Sequence, residues 1–134
     1  MIVILHAHLL TIKIKIMFDT LYWDVEKWDL TLDANANIAI ANAPYSIAQD
    51  VATACRLWLG EYIYDITRGI PYEEYILGYM PPRNIFITWL TVESLTVPSI
   101  STSTPVLSYN NNNRVIYGQI QITLLDGTTI NVNL

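Results

Sequence analysis

Four carboxylates stand close together in mid-chain, Glu61, Asp65, Glu73 and Glu74, among the glycines Gly60, Gly69 and Gly78. Paired carboxylates across a cleft suit glycoside hydrolysis, one giving a proton and the other acting as base or nucleophile. The residues between them point elsewhere. They are tyrosines and Arg68, which stands three positions from Asp65 and within reach to neutralise it. Carboxylates beside glycine-bounded turns more often cap backbone amides or pair with arginine than do acid–base work. The glycines make no phosphate loop, since no Gly-Lys-Ser/Thr accompanies them. His6 and His8 are spaced to share one face of a strand, as two metal ligands would, but no third ligand is near. An uncharged surface pair on an N-terminal arm is the plainer reading. Cys55, in Thr53-Ala-Cys-Arg56, has no histidine partner in the domain proper and reads as a small core residue. The aromatic set Trp58, Tyr62, Tyr64, Tyr72 and Tyr75 suits a ligand grip, and equally a core or a protein interface. No catalytic residue, cofactor or metal is expected.

The elements that position these residues belong to one domain. The chain has 134 residues, 12 acidic and 7 basic, and a formal net charge of −5, which fits a single folding unit. Hydrophobic residues reach 52% and charged ones only 14%, the reverse of a disordered composition. No stretch approaches the ~20 apolar residues that span a bilayer, so no membrane partner is expected. Met1 lacks a basic flank before its apolar stretch, which argues against a secretory signal. A single cysteine excludes an internal disulfide. The acidic balance leaves no electrostatic footprint for nucleic acid. A mean hydropathy of +0.31 with so little charge implies that much of the surface is uncharged or covered by other chains.

Residues 1–16 hold Lys13 and Lys15 and no acid, and Leu10, Ile12, Ile14 and Ile16 alternate. They are expected to form a strand-like extension ahead of a core domain over 17–134, with Met17 a second candidate start. Trp28, Leu30 and Leu32, the turn residues Ala34–Asn37, and Ile38–Ile40 predict a hairpin. A helix is expected over about 46–59. Ser46 and Gln49 form its capping box, Ile47, Val51, Ala54 and Trp58 its buried stripe, and Gly60 its left-handed stop. A short helix should run from Pro71 to Leu77, closed by Gly78. A second main helix should span 83–96, with Ile85, Trp89, Val92 and Thr96 recurring at helical intervals. Strands follow over 97–109 and 115–124. Asp126-Gly127 suggests a two-residue turn into a last strand, 128–134. Val115 and Tyr117 are out of parity with Ile120, Ile122 and Leu124, which predicts a bulge at Gly118. The fold class is α+β, a mainly antiparallel sheet with two principal helices and a C-terminal β-hairpin.

Ala48-Gln-Asp50, Leu57-Trp-Leu-Gly-Glu61, Tyr64-Asp65, Gly69-Ile-Pro-Tyr72 and Ile76-Leu-Gly78 stand in close order. This series resembles the small baseplate wedge proteins of contractile-tailed phages, a family often labelled lysozyme-like. Val97-Pro98 and Arg114 also match. The resemblance covers about residues 17–134 and implies structural work, not glycosidase activity. Such proteins sit in the virion's tail baseplate, grip larger wedge subunits and present a sheet edge to the tail sheath, with the tail tube or hub as further neighbours. Relatives carry Glu-Pro-Arg after the first helix. Here Glu61 matches the glutamate, the proline is missing, and Arg68 stands as the basic partner. The resemblance thus implies a wedge-facing surface at Glu61, Tyr64, Asp65 and Arg68. The last strand, with no proline or charge, offers a docking edge at Thr128, Ile130, Val132 and Leu134. Two alternatives remain open: a small carbohydrate- or ligand-binding module using the tyrosines, and a glycoside hydrolase. The last strand also reads as a central strand of the domain's own sheet.

Overall fold

The computed structural model describes residues 19–27, 29–79, 81–110 and 115–133. The N-terminal extension with His6 and His8, together with Met17, Trp28, the loop residues 111–113, Arg114 and Leu134, lies outside them. The architecture is α+β with antiparallel sheets. Its N-terminal unit is a small set of β-ladders. Strand β1 (Thr20–Leu21) pairs antiparallel with β4 (Ile40–Ala41), and β2 (Trp23–Asp24) pairs with β3 (Asp29–Leu30). The expected hairpin closes at the Leu32–Ile38 bridge. Asp33 holds its turn by accepting the amides of Asn35 at 2.8 Å and Asn37 at 2.9 Å. Those bonds favour the ionised carboxylate and hold its pKa below the usual range.

Helix α1 runs Tyr45–Arg56, shorter than expected at its C-terminal end. Ser46 lies inside its first turn, where the side chain cannot fold back as a cap, and its buried hydroxyl has no partner. Gln49 reaches outward instead. It accepts the Trp23 amide at 3.1 Å and donates to the Leu21 carbonyl at 2.8 Å, tying the β-ladders to the helix. The capping box therefore does not form. The helix stops because Leu57 turns extended and the backbone of 57–59 bonds to Ile70 instead. Leu59 N–H donates to the Ile70 carbonyl, and Ile70 N–H to that of Leu57, both at 2.9 Å. Trp58 consequently leaves the expected stripe and is 42% exposed. Gly60 is left-handed as expected, but it serves the turn beyond this bridge, not the helix end.

A single π-helical turn, Tyr72–Ile76, follows Pro71, with the Leu77 amide donating to the Tyr72 carbonyl at 2.7 Å. Helix α2 (Arg83–Leu95) begins after Pro82. Its packed face is Phe86, Leu90, Glu93 and Ser94, whereas Ile85 and Val92 are exposed.

The main sheet has the order β5 (Ile100–Asn110), β6 (Val115–Leu124), β7 (Thr129–Asn133), all antiparallel. Leu107, Ile120, Ile122, Leu124 and Val132 form its inner face, with α1 and α2 packed against it. Pairing runs unbroken through Gly118, so the expected bulge is absent; the one irregularity lies between Ile100 and Thr102. Val115 and Tyr117 keep parity with Gln119 and Gln121 and are simply apolar residues on the outer, exposed face. Gly118 serves close approach: a Cβ there would meet the Val106 carbonyl oxygen at 2.2 Å. The last turn also differs from expectation. Leu124 N–H donates to the Thr128 carbonyl at 2.8 Å and Gly127 N–H to that of Leu124 at 3.0 Å, enclosing three residues with only Gly127 at positive φ. A two-residue type I′ turn would need positive φ at both central positions.

Cys55 sits in this core with no exposed surface, its thiol directed at the Leu90 carbonyl at 3.7 Å. Burial, with a minor push from Glu93, raises it to about 12. Burial likewise raises Tyr72 to about 12. The folded state keeps both groups neutral after the unfolded chain would ionise them. Their contribution is therefore intact below pH 9 and is lost as pH rises towards 12. Thermal melts should show the midpoint falling across that window. Iodoacetamide at pH 8 should label Cys55 only as fast as the domain opens; rapid labelling of the folded chain would contradict its burial.

Candidate functional site

The segment after α1 holds the four expected wedge-facing residues, and the structure places them in two different settings. Glu61 is exposed, and its Oε2 accepts the Trp58 amide at 3.2 Å. Tyr64 is 82% exposed, with its ring edge-on to Tyr62. Asp65 closes a local turn, accepting the Thr67 hydroxyl at 2.6 Å and the Thr67 amide at 3.1 Å. The Thr67 bonds, more than the Arg68 charge, hold the Asp65 carboxyl below the usual range. A general acid needs the opposite shift to that of Asp65, and neither Glu61 nor Asp65 lines the hollow beside Arg68 or the one beside Tyr72.

Arg68 faces inward. Its Nη2 lies 3.5 Å from Oε2 of Glu93 on α2, a residue the sequence reading did not single out, and donates to the Thr96 hydroxyl. The other Glu93 oxygen accepts the Gly69 amide at 3.0 Å. Glu93 is buried and Arg68 half-buried, so the pair is an internal clamp between the 57–70 segment and α2. Gly69 permits it. Its φ is +107°, and a Cβ would come within 2.6 Å of the Trp58 carbonyl. Arg68 and Asp50 also line a hollow of about 300 Å³, where burial raises the Asp50 pKa.

The aromatic set does not converge. Trp58 and Tyr72 are 6.0 Å apart by ring centroids, while Tyr75 packs on Trp89 at 5.8 Å. Of the five, Tyr72 alone reaches a cavity of about 660 Å³, beside Arg56, Leu77, Tyr79 and Tyr117. No local pattern announces that cavity, because its walls come from widely separated stretches.

The two outer strands differ at their edges. Leu124 and Thr128 are a hydrogen-bonded pair, and in an antiparallel ladder such pairs alternate with non-bonded ones. By the register Ile122–Ile130 and Ile120–Val132, the backbone of Ile130 and Val132 faces β6. The amides directed to the open side are those of Thr129, Asn131 and Asn133. Thr128, Ile130 and Val132, expected at the docking edge, have the wrong parity for it. The same alternation turns the backbone of Pro105 to the outer side of β5, because its partner Ile120 already bonds β7. A missing N–H in mid-strand blunts that edge. β7 carries neither proline nor charge and is hydrogen-bonded to β6 alone among the described strands.

The chain matches no family model, and no curated protein is significantly similar to it.

Proposed function

We propose that this chain is a structural subunit of a contractile phage tail baseplate wedge and that β7 accepts a strand from the tail sheath. The observation that carries the proposal is the asymmetry of the sheet: β5 has Pro105 at its outer edge, and β7 has three outward amides and no second partner among the described strands. Edges of this kind are the substrate of strand addition. Supporting it, the N-terminal ladders turn apolar side chains to solvent, with Leu32 66% and Ile40 59% exposed. Patches of that sort mark interaction surfaces. The exposed turn bearing Glu61, Tyr64 and Asp65 is the proposed contact with larger wedge subunits.

The test is reconstitution of the chain with purified wedge and sheath proteins of a contractile tail encoded beside it. It should enter the wedge complex, and Glu61→Gln should weaken that entry, by about 2–5 kcal/mol if Glu61 meets a buried charge. The variant keeps an oxygen for the Trp58 amide, so its melting temperature should not move. A chain that stays monomeric beside those partners, or that lyses cell wall through Glu61, would overturn the reading.

A further inference from the structure

We infer that the cavity between the π-helical turn, α2 and the sheet binds an amphiphilic anion: an aliphatic or aromatic carboxylate with its head on Arg56. The floor is apolar, made by Phe86, Leu90 and Leu107, all buried. Ile76 and Leu77 form one wall and Ile116 the opposite one. A volume of about 660 Å³ lies within the roughly 300–1,000 Å³ typical of small-molecule sites, which are mostly apolar with a few placed polar groups.

Those polar groups set the ligand's charge. Arg56, at the last position of α1, lines the cavity, and its charge is felt at the Tyr72 hydroxyl. That hydroxyl is already committed as a donor to the Cys55 carbonyl. Among the described residues Lys27 and Arg68 are ion-paired, to Asp24 and Glu93, whereas Arg56 and Arg83 have no carboxylate partner; of these two Arg56 alone lines the cavity, and no described acid does. In a chain of net charge −5, an unpaired guanidinium beside an apolar hollow selects a ligand with one anionic end. Tyr79 and Tyr117 stand at the rim of the lining. The wall itself is a π-helical turn, a rare conformation that is frequent at functional sites when it interrupts an α-helix.

This site is independent of the β7 edge and of the assembly reading. Calorimetric titration of the full chain with decanoate, and with decanol as its neutral counterpart, tests it. Decanoate should bind saturably at one site. Arg56→Gln should weaken it about ten-fold while leaving decanol unchanged. Ile116→Trp should fill the cavity and abolish both. Amide shift changes on binding should centre on Ile76, Leu77, Leu90 and Ile116. Absence of saturable decanoate binding to the natural chain, equal affinity in Arg56→Gln, or shifts centred on the N-terminal ladders would overturn the inference.

Discussion

Asn131→Pro is expected to leave the isolated domain folded and to abolish strand addition at β7. Asn131 is exposed, its side chain lies on the outer face of the sheet, and its backbone points away from β6. Proline there removes an amide that no described strand accepts. The neighbouring substitution behaves in the opposite way. Ile130 faces β6 through its backbone and the core through its side chain. Ile130→Pro loses a ladder bond, leaves an acceptor unsatisfied at about 1–3 kcal/mol, and disturbs packing. Circular dichroism and thermal melts should thus separate the two variants, and sheath assembly on reconstituted baseplates should fail in both. Normal sheath assembly with Asn131→Pro would remove β7 as the docking edge.

Arg68→Ala should be the most damaging polar substitution among the residues expected at the wedge surface. It strips the one cation paired with buried Glu93 among the described residues and cuts the tie to Thr96. Removing one partner of a buried pair costs about 3–5 kcal/mol, and the partial exposure of Arg68 moves the expectation to about 2–4 kcal/mol. That corresponds to a melting temperature lower by about 10 °C for a domain of this size. Pairing Arg68→Ala with Glu93→Gln should recover part of the loss, because the stranded charge is then gone. A melting temperature unchanged in Arg68→Ala would mean that the clamp contributes nothing. An assembly defect from an Arg68 variant would thus report on folding first, whereas Glu61→Gln reports on the surface.

These expectations rest on features the sequence reveals unevenly. Strand β6 was legible from its alternation, and α2 from residues recurring at helical intervals, because both signals are local. The end of α1 was not. Leu57 and Leu59 suit a helix, but their backbones bond Ile70, a partner beyond any local window. Parity misled at Gly118 because two apolar residues, Val115 and Tyr117, sit on the solvent face. Arg68 invited pairing with Asp65 by proximity in sequence, yet its ion pair is with Glu93 on α2. Asp65 is satisfied by Thr67 at once. The cavity was invisible for the same reason, as its wall, floor and single cation come from α1, the π-helical turn, α2, β5 and β6. The one available hint was Arg56, a cation in the last turn of a helix without an acid in its first turn. At β7 composition was enough to suggest an unprotected strand, but only the hydrogen-bonded register says which amides face outward.

Amide hydrogen exchange along β7, read by NMR or mass spectrometry in the free chain and in sheathed baseplates, distinguishes an open edge from one that has taken up a partner strand. In the free chain Ile130 and Val132 should be protected by β6, while Thr129, Asn131 and Asn133 exchange quickly. In the assembly all five should be protected. Fast exchange of the three outward amides in sheathed baseplates, or their protection in the free monomer, would contradict strand addition at this edge.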